Sequence, residues 1–218
     1  MLDPVVLYWS GGKDCSLALH TLRCSSSYRV DCLLTTLTEG YDRVTGHGVR
    51  RSLIERQATA LGIALYKSYI PKQASMSQYE AVTEAALAEL RKQGIRVAAS
   101  GDIFQDQHRI AIFQKAGLKE YFPLWPGTTQ DQIRAFLQSG LKAYVSCVDS
   151  GRLDACFVGR TLDAGFFEQL PPHIDPCGER GEFHTFVYDG PLFNEPIKVS
   201  LGEIVLRESF YFCDLVPS

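Results

Sequence analysis

Apolar runs and amphipathic segments alternate along the first two-thirds of the chain, with short polar stretches between them. Four apolar runs predict strands, at residues 5–9, 30–37, 64–70 and 97–100. Four segments with apolar residues at helical spacing predict helices, at residues 17–22, 50–61, 77–93 and 107–116, the third opening on a capping box at 77–80. Strands that alternate with helices indicate a doubly wound, mainly parallel, Rossmann-like α/β sheet, which binds ligands at the carboxyl ends of its strands.

The pattern changes after residue 127. A polar cap at residues 129–132 predicts a further helix, and a Gly/Pro-rich stretch follows at residues 171–181. Four more strands are predicted, at residues 143–148, 182–188, 197–206 and 208–215. We therefore expect a nucleotide-binding domain at residues 1–127 and a smaller α+β lobe at residues 128–218.

Composition excludes several classes of function. The 218 residues carry a net charge of −3, and no cluster of Lys and Arg exceeds a pair, so a nucleic-acid partner is not expected. No apolar stretch approaches the length of a membrane span, and the N-terminus lacks the pattern of a signal peptide. The seven cysteines form no C-x-x-C pair, which argues against a zinc ribbon or a disulfide framework and favours a cytoplasmic protein.

The most informative segment is the turn Ser-Gly-Gly-Lys-Asp-Cys-Ser between the first predicted strand and the next helix. Glycines leave room for a phosphate against the backbone, and a helix N-terminus attracts anions. A lysine adds positive charge, and the Asp carboxylate suits Mg²⁺. The candidate phosphate-binding residues are therefore Ser10, Gly11, Gly12, Lys13, Asp14, Cys15 and Ser16, with Asp14 as the metal ligand.

This turn differs from the two commonest nucleotide motifs. A Walker loop requires glycine in place of Leu7 and Ser or Thr in place of Asp14, and no complete G-x-G-x-x-G is present. Residues 10–15 instead resemble the SGGxD[ST] loop of ATP pyrophosphatases, which cleave ATP between its α- and β-phosphates. Cys15 stands where that loop usually has Ser or Thr.

Two further polar clusters follow predicted strands. His47 and Arg50 lie after the second strand and are candidates for contact with phosphate or a carboxylate. Asp102 follows the fourth strand, where it is a candidate to bind magnesium or position a nucleophile. Arg109 lies just beyond it and is a candidate anion clamp. The structural alternative is a solvated loop residue for His47, an arginine at a helix N-terminus for Arg50 and a helix cap for Asp102.

The second strong signal is the stretch at residues 175–186, DPCGERGEFHTF. It combines carboxylates, an imidazole and a hydroxyl on a turn with Pro and Gly, which is typical of a functional loop. Its candidate site residues are Glu179, Glu182, His184 and Thr185. If residues 182–186 are extended, Glu182 and His184 lie on one face of the strand and Thr185 on the other.

These motifs occur in the order seen in diphthine–ammonia ligases, which the chain resembles over nearly its whole length. The resemblance rests on residues 10–15, 47–50, 101–103, 123–125 and 177–185. Arg180 stands where that family often has glycine or another small or polar residue. The resemblance implies ATP, Mg²⁺ and ammonium as reactants and the diphthine residue of elongation factor 2 as acceptor, without a membrane partner. The resemblance does not decide the oligomeric state, for which a homodimer is one possibility.

The resemblance also implies a mechanism. A carboxylate attacks the α-phosphorus of ATP, pyrophosphate leaves, and ammonia then displaces AMP to form an amide. The implied catalytic residues are Lys13, Asp14, Asp102, Glu179 and Glu182, and the implied substrate-binding residues are His47, Arg50, Arg109, His184 and Thr185. For this chemistry the turn at residues 175–182 must fold against the first loop.

Two alternatives remain open on the sequence. A tRNA-modifying ATP pyrophosphatase would use the same loop, but the chain lacks a basic extension for RNA. A non-catalytic adenine-nucleotide sensor would also use the loop, but would not need a second polar cluster. Formation of AMP with pyrophosphate separates a ligase from a kinase, which forms ADP, and from a sensor, which turns nothing over.

Overall fold

The computed structural model describes residues 1–218, which form two compact units. Unit 1 comprises Met1–Ser10, Asp14–Thr45 and Gly62–Gly127, and unit 2 comprises Gly11–Lys13, Gly46–Leu61 and Thr128–Ser218. Unit 2 therefore takes two segments from the first 61 residues of the chain. None of the helices has the length and apolar character that crossing a membrane requires.

Six helices and ten strands follow one another along the chain. The strands are β1 (Asp3–Tyr8), β2 (Tyr28–Thr38), β3 (Arg43–Val44), β4 (Ala64–Ile70), β5 (Val97–Ala99), β6 (Lys119–Tyr121), β7 (Lys142–Asp149), β8 (Phe183–Asp189), β9 (Val199–Arg207) and β10 (Phe210–Pro217). The helices are α1 (Lys13–Arg23), α2 (Arg51–Leu61), α3 (Met76–Lys92), α4 (Gln107–Lys115), α5 (Thr129–Ser139) and α6 (Ala164–Glu168).

The sheet of unit 1 is mainly parallel. Its parallel strands run in the order β4-β2-β1-β5-β6, and the short β3 adds to β2 in the antiparallel sense. The order reverses between β1 and β5, which makes the carboxyl ends of these two strands the topological switch point where such sheets bind ligands. This sheet confirms the predicted doubly wound α/β fold.

Both faces of this sheet are covered. Three consecutive residues of β1, Val5, Val6 and Leu7, are fully buried, which requires packing on each side of the strand. On one side, apolar residues of the strands pack against α3 and α4: Val6, Leu34 and Ala98 with Leu87, Leu90 and Phe113. The apolar runs of the sequence are continuous because these strands are central.

A glycine at the switch point permits a close backbone contact. Gly101 follows β5, and a Cβ placed there would lie 2.6 Å from the carbonyl carbon of Asp14 and 2.8 Å from the amide nitrogen of Cys15. The first turn of α1 therefore packs directly on Gly101, two residues beyond the end of β5. No side chain fits at this position unless the backbone moves.

The sheet of unit 2 is antiparallel, with strand order β8-β7-β10-β9. Its helix α5 begins at a capping box in which Thr128 caps the helix and Asp131 bonds back to the Thr128 amide. Helix α5 ends at Gly140, which has a φ of 74°. An antiparallel sheet with separate helices confirms the predicted α+β character of this part of the chain.

Several local predictions are wrong. The capping box of α3 is formed by Ser75 and Gln78, not at residues 77–80, and that of α5 begins at Thr128 instead of 129. Strand β10 begins at Phe210, because Glu208 has a φ of 54° and forms the turn that follows β9. The sequence pattern also missed the short elements β3, β6 and α6, which have too few residues to show a period.

We predict that Gly101→Ala destabilises the protein by about 2 kcal/mol or more, because the added methyl group meets backbone atoms that cannot move independently. Urea unfolding measures the change. Gly165→Ala is the matched control, since a Cβ at this position of α6 has only one ordinary contact, at 3.4 Å. Equal stability of the two variants would contradict the proposed close contact.

Candidate functional site

The loop at residues 11–13 belongs to unit 2 and leads into α1. Gly11 has a φ of 82°, in the region that favours glycine. A Cβ on Gly11 would lie 2.6 Å from Cδ1 of Ile54 and 2.7 Å from Oε1 of Gln57, both on α2. Gly11 is therefore required both by its backbone conformation and by the closeness of α2.

Hydrogen bonds from β8 and α2 hold this loop in place. The amide of Val187 donates to the Gly11 carbonyl at 2.8 Å. Nε2 of the fully buried Gln57 donates to the Gly11 carbonyl at 3.1 Å and to the Val187 carbonyl at 2.6 Å. The amide of Lys13 donates to Oγ1 of Thr185 at 3.0 Å. We refer to these four bonds as the loop anchor.

The Lys13 side chain joins the first loop to the turn at residues 175–182. Lys13 is 3% exposed, and its Nζ donates to the Cys177 carbonyl at 2.5 Å. The same Nζ lies 5.8 Å from the centre of the Phe183 ring. These contacts confirm the expectation that the late turn folds against the first loop.

Glu182 organises that turn from inside it. Its carboxylate is 1% exposed and accepts hydrogen bonds from the amides of Asp175, at 3.2 Å, and Arg180, at 2.9 Å. Arg152 lies 3.5 Å from the same carboxylate. The structure therefore gives the Glu182 oxygens backbone partners at both ends of the turn. Glu179 lies half-buried on the same turn.

His47 and His184 are brought together in unit 2. Their ring centres are 4.3 Å apart, and Nδ1 of His47 is buried without a hydrogen-bond partner. Burial and the positive charge of Lys13 lower the pKa of His184 to about 4. Burial, His184 and Lys13 lower the pKa of His47 well below its usual value. Both imidazoles are therefore neutral near pH 7.

Arg50 is engaged inside unit 2. Its Nε and Nη2 donate to the two carboxylate oxygens of Asp214 on β10, at 3.0 and 2.6 Å. These two hydrogen bonds raise the pKa of Arg50 above its usual value. The sequence predicted that Arg50 contacts phosphate or a carboxylate. In the structure its guanidinium binds a carboxylate of the chain itself.

Unit 1 places Asp102 and Arg109 together beyond β5. Oδ2 of Asp102 accepts a hydrogen bond from Ser100 at 2.8 Å and lies 2.6 Å from Nε of Arg109. The Arg109 guanidinium also lies 4.8 Å from the centre of the Tyr8 ring. Burial lowers the pKa of Arg109, whereas Asp102 and the neighbouring tyrosines raise it. The second effect is larger, so the pKa of Arg109 lies above its usual value.

The remaining residues of the first loop lie in unit 1. Oγ of Ser10 is 3.7 Å from Sγ of Cys15, within the range of a hydrogen bond to sulfur. Cys15 and Ser16 are buried, whereas Asp14 is half-buried in the first turn of α1. No group of three or more His, Cys, Asp and Glu side chains in the structure is arranged to hold a metal ion.

The sequence pattern missed several residues at these sites. In unit 2, Gln57 contacts Gly11 and Asp214 contacts Arg50. In unit 1, Tyr8 contacts Arg109 and Ser100 contacts Asp102. A buried glutamine on an otherwise apolar helix face is the signal that could have identified Gln57. The other three gave no such signal, because each occupies an ordinary strand or loop position.

Two family models match the chain. The diphthamide synthase N-terminal domain matches residues 4–120, and the diphthamide synthase C-terminal domain matches residues 128–216. Proteins named diphthine–ammonia ligase are similar over most of the chain. The human protein is 24% identical over 235 residues, covering 93% of this chain and 85% of its own. The Schizosaccharomyces pombe protein is 27% identical, covering 94% of this chain and 38% of its own.

A solved structure is also similar to the chain. It is described as the "predicted subunit of tRNA methyltransferase" from Methanocaldococcus jannaschii. The similarity has a TM-score of 0.46 and 17% sequence identity, and it covers 65% of this chain and 80% of the other.

We predict that Gln57→Met destabilises the protein by about 2–3 kcal/mol, because the buried Val187 carbonyl loses the Gln57 donor. Urea unfolding measures the difference. Gln138→Met, at an exposed position of α5, is the matched control. If both variants retain the parental stability, Gln57 does not hold the loop.

We also predict that His184 makes stability depend on pH. The unfolded chain binds a proton at His184 near pH 6.5 and the folded chain at about pH 4, so the free energy of unfolding falls as the pH drops through this window. When the pH is lowered from 6.5 to about 5, the free energy of unfolding should fall by about 1–2 kcal/mol less in His184→Gln than in the parent. Denaturant unfolding at both pH values tests this, with the exposed His20→Gln as control. An unchanged pH dependence in His184→Gln would refute it.

Proposed function

We propose that this chain, which belongs to the diphthamide synthase family, is an ATP-dependent ligase that joins ammonia to a carboxylate. The relatives named diphthine–ammonia ligase support diphthine as the acceptor. Diphthine on elongation factor 2 is the acceptor that we propose. The observation that carries the proposal is the contact of Lys13 with both Thr185 and Cys177. It joins the phosphate-type loop to the late polar turn within unit 2.

The proposed reaction has two steps. An oxygen of the acceptor carboxylate attacks the α-phosphorus of ATP, and the bond to pyrophosphate breaks, which leaves an acyl-adenylate. The nitrogen of ammonia then attacks the acyl carbon, the bond to AMP breaks, and one proton passes to solvent or a base. An amide, AMP and pyrophosphate are the products.

The first loop is proposed to bind the phosphates of ATP. The N-terminal turn of α1 and the Lys13 charge favour an anion at residues 10–16. The loop anchor holds this segment in its conformation before ATP binds, so little ordering is needed on binding. Thr185 acts on this loop as a positioning residue, since its hydroxyl contacts the Lys13 amide.

Asp14 is the proposed ligand of Mg²⁺. A magnesium ion bound with ATP needs only one or two carboxylates, because phosphates and waters complete its shell. The single half-buried carboxylate at the start of α1, with no cluster of three ligating side chains, fits this mode. Bound Mg²⁺ would offset the negative charge of the phosphates and of the leaving pyrophosphate.

The other predicted residues receive distinct proposed roles. Glu182 shapes the turn at residues 175–182, and Glu179 on the same turn is proposed to face the acceptor or ammonium. The neutral imidazoles of His47 and His184 are proposed to contact substrate beside Lys13. Asp102 pairs with Arg109, and Asp214 pairs with Arg50. We therefore propose that each pair positions neighbouring residues.

A direct test is product formation from ATP, Mg²⁺, ammonium and elongation factor 2 that carries diphthine. We expect AMP and pyrophosphate in equal amounts, only when acceptor and ammonium are both present. Asp14→Asn should reduce AMP formation about a hundredfold or more, because the metal and the charge at the loop are lost. Asp31→Asn, at the ion pair with the exposed Arg29, is the matched control.

Two results would contradict this proposal. Formation of ADP instead of AMP would indicate a kinase or an ordinary ATPase. Undiminished AMP formation by a folded Asp14→Asn variant would remove the first loop from the reaction.

A further inference from the structure

Arg152 lies between two carboxylates of unit 2. It belongs to the turn that follows β7, and its Nε is 3.3 Å from Oδ2 of Asp149, the last residue of that strand. Its Nη1 is 3.5 Å from Oε1 of Glu182. The side chain of Arg152 is 43% exposed, whereas that of Glu182 is 1% exposed. A guanidinium at the surface therefore reaches a carboxylate in the interior.

Backbone contacts set the position of Arg152 relative to Glu182. The Arg152 amide donates to the Asp149 carbonyl at 3.0 Å, and Oδ1 of Asp149 accepts a hydrogen bond from the Gly151 amide at 2.9 Å. The Asp149 amide donates to the Glu182 carbonyl at 2.9 Å. The end of β7 is thus joined directly to the residue that precedes β8.

The buried carboxylate of Glu182 is stabilised by this positive charge. The amides of Asp175 and Arg180 donate to its oxygens, but both are neutral donors. A buried carboxylate that lacks an opposite charge is destabilised relative to the same group in water. Arg152 supplies that opposite charge from outside the turn.

The turn at residues 175–182 joins this ion pair to the first loop. The Cys177 carbonyl on the turn accepts the hydrogen bond from Nζ of Lys13. In the proposed function, the ammonium of Lys13 contacts the phosphates of ATP. A change in the shape of the turn would therefore move the group that holds this ammonium.

We propose that Arg152 is a positioning residue for the reaction. It acts through Glu182 on the turn, and through the turn on the ammonium of Lys13. The inference rests on the proposed function, because it requires Lys13 to contact ATP. The amide of Lys13 is held by β8, so loss of Arg152 should displace the ammonium more than the backbone of the loop. Placement of a charge against the leaving pyrophosphate affects the transition state more than the binding of ATP.

Steady-state kinetics with ATP, ammonium and elongation factor 2 that carries diphthine tests this role. Arg152→Met keeps the aliphatic stem and removes the charge, so kcat for AMP formation should fall about tenfold, while the KM for ATP changes less than about threefold. Arg152→Lys keeps a positive charge near Glu182 and should retain at least about a third of the parental kcat. Thermal unfolding checks that every variant is folded.

Arg134→Met is the matched control. Arg134 also pairs with an aspartate three residues before it, at 3.4 Å, but both side chains of that pair are exposed on α5. This variant should keep the parental kcat and the parental KM for ATP, because an exposed ion pair contributes little and this one does not reach the turn.

A double-mutant cycle tests the route through Glu182. If Arg152 acts through that carboxylate, Arg152→Met should lower kcat less than about twofold in a Glu182→Gln background. Trypsin reports the shape of the turn without ATP, since Arg180 is exposed on it. Cleavage after Arg180 should be about fivefold faster or more in Arg152→Met than in the parent and in Arg134→Met.

The two assays distinguish failure of the inference from failure of the proposed function. A parent that forms no AMP would overturn the proposed function, and faster cleavage of Arg152→Met would still show that Arg152 holds the turn. Unchanged kcat and unchanged cleavage in a folded Arg152→Met variant would overturn the inference. A tenfold loss of kcat in both Glu182 backgrounds, or an equal loss in Arg152→Lys and Arg152→Met, would overturn it as well.

Discussion

The geometry of the site depends on the hydrogen bonds that β8 and α2 supply to the loop at residues 11–13. A glycine-rich loop has many accessible conformations, and fixing one of them costs conformational entropy. Here Val187 and Gln57 satisfy the buried carbonyl of Gly11, and Thr185 accepts from the Lys13 amide. The loop is therefore ordered by its contacts with β8 and α2.

Charged groups of each unit are compensated by partners within the same unit. Arg50 binds Asp214 through two hydrogen bonds, and Arg109 lies against Asp102. The buried carboxylate of Glu182 accepts two backbone hydrogen bonds. A buried charge without a partner would cost several kcal/mol or change its protonation, so these contacts stabilise each unit and orient the residues that make them.

In the turn at residues 175–182, one buried carboxylate fixes the shape of the whole motif. Glu182 joins the two ends of the turn at residues 175–182, and this shape presents the Cys177 carbonyl to Lys13. Gly178 has a φ of 71°, and a Cβ there would lie 2.8 Å from the Phe183 carbonyl. Gly178 and the carboxylate of Glu182 are thus explained by the packing of the turn.

Much of the fold was predictable because local patterns of apolar and polar residues determine its strands and helices. Central strands such as β1 and β2 contain apolar runs, since both faces of a parallel sheet are covered. The start of α3 was misplaced because Ser75 and Ser77 both begin a capping-box pattern, and only the backbone conformation selects Ser75. Strands of two or three residues, such as β3 and β6, are too short to show a period.

The sequence alone determined the α/β fold, the phosphate-type loop and the polar turn, because each is encoded by residue types at close spacing. Only the tertiary structure decided which partners these residues take. Gln57 contacts a carbonyl 130 residues away in the chain, and Arg50 pairs with an aspartate 164 residues away. Such contacts depend on how strands and helices pack, and a local pattern of residues carries no information about that packing.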